Sequence, residues 1–213
     1  MDMMTDSFDS SLTRLFDFRL SKGDQKKMEI VQATIDCLAE LGIEKSSFEA
    51  IAKKIGTRRS HITYYYKDKD DIFYDIYKYI AGTYQEYSIR HLEAAGNSKD
   101  KLSIFLDAYF DWTRNEQKQL NAMFLLYYFC YHKPEFREIN QKIREGGVQR
   151  ISYILREQFS FTPKKSQLLA KGIQAIMSHT AVDASTFKEE DRKPIEKEKE
   201  ARKLIKLLIS SAL

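Results

Sequence analysis

Proline and glycine are scarce, three and eight respectively in 213 residues. That argues against a turn-rich β chain, whose strand returns need residues that fix or free the backbone, and it suits long helices. Cysteine is rarer still. Cys37 and Cys130 lie far apart inside apolar stretches, without the close pairing of a zinc or redox motif, so both read as buried free thiols of a reducing compartment and no metal site is expected. No uninterrupted apolar run approaches the roughly 20 residues of a spanning helix. The amino terminus carries Asp2, Asp6 and Asp9 rather than the basic start of a secretion signal. These absences lead to the expectation of a soluble, cytoplasmic protein with no membrane partner. Catalytic signatures are missing as well: there is no GxSxG elbow, phosphate-cradling glycine loop or HExxH, and His61, His91, His132 and His179 are scattered. Asp107 and Asp111 share a helical face, but charged pairs at that spacing are ordinarily solvated. Neither an enzyme nor a cofactor is indicated.

What is present is helical periodicity. In residues 1–25, Phe8, Leu12, Leu15 and Phe16 would share one face, which fits either a short accessory helix or a frayed tail. From Gln25, Val31, Ile35 and Leu38 recur at helical spacing up to a stop at Gly42. In "SSFEAIAKKIG", Ser46 and Glu49 have capping-box spacing, Phe48, Ile51, Ala52 and Ile55 supply an inward face, and Gly56 ends the helix. "RRSHITYYY" then forms a short helix with Ile62 and Tyr66 inward. A long amphipathic element follows to Gly96, and further helices are expected over 98–116, 117–132, 135–159, 164–186 and from 194 onward, the last two separated by the charged linker "KEEDRKP".

Net charge is only +4, too small to indicate nucleic acid by itself, but it is unevenly placed. Between residues 52 and 69, Lys53, Lys54, Arg58, Arg59, Lys67 and Lys69 stand against the single acid Asp68, so this stretch carries more positive charge than the whole chain. A helix, a tight glycine-containing turn and a second basic, aromatic helix form the unit that sets its second helix in the major groove of DNA. Lysine and arginine supply phosphate attraction, and Arg, His, Ser, Thr and Tyr hydrogen-bond base edges or phosphates.

Residues 26–75 resemble the TetR family of transcriptional regulators. "SFEAIAKKIG" places Ile51, Ala52 and Gly56 on the family's pattern, Arg58 to Tyr66 fall on its recognition helix, and Lys69 and Ile72 match the lysine and apolar residue that open its fourth helix. Thr63, Ser60 and Tyr66 depart from the usual tyrosine, glycine and phenylalanine, while Tyr64 matches a second tyrosine of many members. The resemblance implies an all-α fold of about nine helices. Residues 1–25 are an extension, 26–68 a three-helix helix-turn-helix DNA-binding domain, and 69–213 a larger ligand-binding and dimerisation domain. It assigns Arg58 and Arg59 to phosphate or guanine, His61, Thr63 and Tyr64 to the groove-facing surface, Tyr65 and Lys67 to the rim, and Lys69 and Ser47 to backbone phosphate.

One such unit reads only a few base pairs, so a homodimer with recognition helices about 34–36 Å apart on double-stranded operator DNA is expected. Leu169, Ile173, Ile176 and Met177 form one apolar stripe, and Leu204, Ile205 and Leu208 another; the resemblance implies that these final helices make a four-helix interface across a two-fold axis. It also implies that helices four to seven enclose a small-molecule effector site, for which Tyr84, Tyr87, Tyr109, Trp112, Tyr127 and Tyr128 are lining candidates and Asp111 or His132 the polar handle. Repression relieved by an apolar or aromatic ligand is the expected mode. The competing reading is an all-helical ligand carrier or protein-interaction adaptor that does not bind DNA.

Overall fold

The computed structural model describes residues 22–96, 98–186 and 194–213. Among these every regular element is helical: α1 Lys22–Lys45, α2 Phe48–Ile55, α3 Arg59–Tyr65, α4 Lys69–Ala94, α5 Lys101–Asn115, α6 Gln117–His132, α7 Pro134–Phe159, α8 Pro163–Thr186 and α9 Pro194–Ser210. The all-α architecture is as expected. The accessory helix considered for the amino-terminal extension and the "KEEDRKP" linker fall largely outside the described residues.

Local chemistry accounts for most boundaries. All three prolines stand at the first position of a helix, α7, α8 and α9, where a missing N–H costs nothing and a fixed φ helps. The helical backbone of α1 breaks at Gly42 (φ 76°, ψ 175°), the glycine at which the sequence placed its stop. One assignment changes at α2. Ser47, not Ser46, is its N-cap, accepting from Ala50 N–H at 3.2 Å, whereas Ser46 is buried and donates its hydroxyl to the Gly42 carbonyl at 2.7 Å. Two adjacent serines both have capping chemistry, and only the path of the chain out of Gly42 selects between them.

The described residues divide into two compact units. The first runs to Gly82 and includes Leu125–Ile139. In it α2 packs on α1 and α3, and Leu38, Ile51, Ile62, Ile72, Phe73 and Ile76 are fully buried. Aromatic rings tie the Leu125–Ile139 segment to α4: Phe73 meets Phe129 at 5.3 Å, Phe129 stacks on Phe136 at 5.2 Å, and Tyr77 meets Phe136 edge-on at 6.0 Å. Lys133 pairs with Asp70 at the acidic start of α4.

The second unit comprises Thr83–Phe124 and Asn140–Leu213. Its core joins Leu102, Phe105 and Phe110 of α5, Ile151, Ile154 and Leu155 of α7, Leu169, Ile173 and Met177 of α8, and Ala201, Ile205 and Ile209 of α9. This changes the reading of the two apolar stripes. Leu169, Ile173, Met177 and Ile205, assigned from sequence to a dimer interface, fill their own subunit's core, and Ile176 and Leu208 pack partly against it. Of the seven, only Leu204 is exposed, at 53 %. Periodicity marks an apolar face without saying what covers it. The large apolar side chains that α8 and α9 leave in solvent are Leu168, Val182, Leu204 and Leu207.

Candidate nucleic-acid interface

The basic segment is built around a glycine. Gly56 adopts the left-handed conformation (φ 75°, ψ 33°), and its N–H and that of Thr57 return to the carbonyls of Lys53 and Ala52, closing α2 in a paired-bond C-cap that only a residue tolerant of positive φ makes cheaply. Two residues later α3 begins. At seven residues it is too short to hold itself together, so its stability must come from packing. Ile62 at 1 % and Tyr66 at 3 % exposure provide the anchor, each worth roughly 1.5–3 kcal/mol of burial. The Tyr66 hydroxyl donates to Asp75 Oδ2 at 2.9 Å, and burial first, then the Asp75 charge, holds its phenol far above the ordinary range.

Anchoring those two residues turns the rest of α3 outward. Arg58, Arg59, Ser60, His61 and Tyr64 are exposed, Tyr64 at 73 %, while Thr63 and Tyr65 are half-buried. The surface is partly organised. Tyr64 and Tyr65 meet edge-on at 5.1 Å, Thr57 Oγ1 lies 3.1 Å from His61 Nδ1, and Arg59 pairs with Glu49 at 3.1 Å. Lys54 is held by Glu40 at 2.6 Å; Lys67 donates to the Thr63 carbonyl at 3.0 Å, and Lys69 to the Ile43 carbonyl at 3.2 Å. Ser47 spends its oxygen on the α2 cap. The nine residues assigned to DNA lie in one segment, and of them Arg58, Arg59, His61, Tyr64 and Lys67 are exposed.

Residues 30–76, spanning α1 to the start of α4, match the profile of bacterial regulatory proteins of the tetR family. This stretch of the chain is thus similar to the amino-terminal domain of tetR-family regulators. The α2–turn–α3 unit lies inside that match and is a helix-turn-helix of the kind those DNA-binding regulators carry. Similar relatives include the HTH-type transcriptional regulator BetI of Proteus mirabilis, 24 % identical over 71 % of this chain and 76 % of its own. Another is the fatty acid metabolism regulator protein of Bacillus subtilis, 25 % identical over 70 % and 69 %. A transcriptional regulator from Saccharomonospora viridis, solved in complex with choline, has the same fold, with a TM-score of 0.75 at 14 % identity over 85 % of this chain and 96 % of that one. No helix among the described residues is long and apolar enough to cross a membrane.

The residues proposed for an effector separate. Tyr84, Tyr109 and Trp112 come together in the second unit, with Tyr84 edge-on to Tyr109 at 5.7 Å and to Trp112 at 5.4 Å. Tyr87 lies over His91 at 4.7 Å, and Asp111 is engaged by Arg114 and, at 3.4 Å, by His91. In the first unit Tyr127 is half-buried. Tyr128 and His132, assigned from sequence to a ligand site, stand exposed instead, Tyr128 at 64 %, because α6 turns that face to solvent.

Two buried polar residues of the same unit were not singled out from the sequence. Ser88, one turn beyond Tyr84, is fully buried, and Arg150 on α7 is 6 % exposed. The Tyr84 hydroxyl, Ser88 Oγ and the Trp112 indole N–H are buried without a hydrogen-bond partner, each at a cost of about 1–3 kcal/mol if left so. Burial raises the Tyr84 phenol and Arg150 acts against the rise; burial likewise lowers the Arg150 guanidinium below its usual value. A signal existed: Arg150 and Ile154 are four apart, so the core face of α7 passes through the arginine.

Proposed function

We propose that this chain is a homodimeric, cytoplasmic repressor that binds a palindromic operator and is released by a small molecule bound in its second unit. The observation that carries the DNA half is the outward face of α3, where Arg58, Arg59, His61 and Tyr64 surround a helix held from beneath by Ile62 and Tyr66. Arginines and lysines there neutralise phosphates and fix the register; His61, Thr63 and Tyr64 read base edges, with Tyr65, Lys67, Lys69 and Ser47 at the rim and backbone. Glu49 holds Arg59 near its working position until phosphate replaces it.

Two copies are needed because one short helix spans too few base pairs for specificity. The exposed Leu168, Val182, Leu204 and Leu207 of α8 and α9 supply the apolar surface for pairing. Release follows from linkage: an effector that prefers a dimer whose recognition helices miss successive major grooves lowers operator affinity by its preference for that arrangement. α4 is the connecting element, since it begins at Lys69 beside the recognition helix and runs to Ala94 past Tyr84 and Ser88. Selection of genomic fragments by the purified protein, followed by salt-dependent duplex binding, tests the reading. Recovery of an inverted repeat supports it, and absence of any duplex preference leaves the adaptor reading in its place.

A further inference from the structure

The ring of His61 is held at two points. Thr57 Oγ1 lies 3.1 Å from its Nδ1, and the Tyr65 ring meets it edge-on at 6.2 Å. Each support is itself fixed. The Thr57 N–H donates to the Ala52 carbonyl at 2.8 Å as part of the cap that ends α2, and Tyr65 is braced edge-on by Tyr64 at 5.1 Å. His61 is exposed, and among the described residues no other contact engages its ring, so Nε2 remains for a ligand.

What Nε2 carries follows from what Nδ1 does. A threonine hydroxyl rotates to suit its neighbour and donates as readily as it accepts. With the Thr57 hydroxyl donating, Nδ1 is the acceptor and the ring proton sits on Nε2. The opposite tautomer would turn a lone pair toward a groove edged with phosphates and rich in base acceptors, where N7, O6 and O4 give it nothing. A lone N–H fits guanine best. Guanine sets the acceptors N7 and O6 side by side, whereas adenine places an N6 donor next to N7, cytosine offers a donor, and thymine has a methyl group beside O4.

We propose that Thr57 is a positioning residue for DNA recognition, its hydroxyl fixing the tautomer and orientation of His61 so that Nε2–H donates to N7 of one guanine in each operator half-site. Thr57 acts through the ring and touches no base itself. This rests on the reading that α3 enters the major groove, and it adds a residue outside the nine assigned to DNA together with the base atom that is read.

The full-length protein first selects its preferred duplexes from a random-sequence library, and affinities are then measured by fluorescence anisotropy. Each recurring guanine of one selected half-site is replaced in turn by 7-deazaguanine, which puts C–H in place of N7 and leaves the base pair intact. Wild type is expected to lose about threefold to tenfold in affinity at one guanine, the loss of one neutral hydrogen bond. Thr57→Ser, which keeps the hydroxyl, should lose as much. The penalty should fall to about twofold or less in Thr57→Val, which keeps the branched shape without the hydroxyl, and vanish in His61→Phe, which keeps a flat ring without the nitrogens. Thr57→Ala serves in place of Thr57→Val should the latter not fold. Salt slopes of all these variants should equal that of wild type, because no phosphate contact is removed. Arginine also reads guanine N7, so the coupling between protein change and base change decides, rather than the deaza penalty alone. The proposal is overturned by a penalty as large in Thr57→Val as in wild type, by a Thr57→Ser that behaves like Thr57→Val, by a penalty that survives in His61→Phe, or by a half-site with no deaza-sensitive guanine. Duplex binding without the coupling removes only this inference, whereas absence of any duplex preference removes the reading of α3 on DNA and this inference with it.

Discussion

Replacing Arg58 by glutamine removes one exposed cation from the start of α3 while leaving the buried anchors Ile62 and Tyr66 in place. Among the basic residues of the segment, Lys54, Arg59 and Lys69 are already engaged by Glu40, Glu49 and the Ile43 carbonyl, so each must give up a contact to reach phosphate. Arg58 therefore offers a clean subtraction. Each neutralised phosphate contributes about 0.9 to the slope of log affinity against log salt, so a homodimer losing two contacts should lose about 1.8 from that slope. Between about 50 and 200 mM salt the wild-type advantage should then shrink about tenfold; a monomer would show only about a three- to fourfold shrinkage. Fluorescence anisotropy with a labelled operator across salt concentrations measures it. Lys203→Gln, an exposed cation of α9, is the control. A slope for Arg58→Gln equal to that of wild type, or a Lys203→Gln change just as large, would refute the placement of α3 on the duplex.

Ile62→Ala should cost about 2–5 kcal/mol in denaturant unfolding, because the short α3 has little else beneath it, whereas Tyr64→Ala should stay within about 0.5 kcal/mol of wild type yet bind duplex more weakly. Gly56→Ala should cost about 1–2 kcal/mol by the same assay; an added Cβ meets nothing within 4 Å, so the penalty comes from the positive φ of 75° alone. Burial raises the phenols of Tyr66, Tyr77 and Tyr84 above the unfolded value of about 10, which makes their neutral forms part of the folded state. Their contribution is therefore complete below about pH 10 and lost as pH rises past it, so thermal melting should fall steeply there, and ultraviolet phenolate absorbance should show these rings ionising only with unfolding.

Element identity in this chain is written locally. Prolines open α7, α8 and α9, Gly42 and Gly56 close their helices, and the i, i+3, i+4 recurrence of Ile51, Ala52 and Ile55 or of Ile62 and Tyr66 selects a buried face; each of these acts within about one turn of backbone, so the residues alone determined the helix order and the outward face of α3. The family resemblance was legible for the same reason, since its motif is one short stretch of such local signals. Contacts between helices distant in the chain carry no comparable mark. Only the tertiary structure decided that Leu169, Ile173, Met177 and Ile205 serve their own core while Leu168, Leu204 and Leu207 face solvent, because an apolar stripe specifies a face but not the neighbour that covers it. It likewise decided that Tyr109 and Trp112 of α5 meet Tyr84 of α4 while Tyr128 and His132 turn to solvent, because convergence depends on how separate helices are rotated against one another, a quantity no single helix encodes.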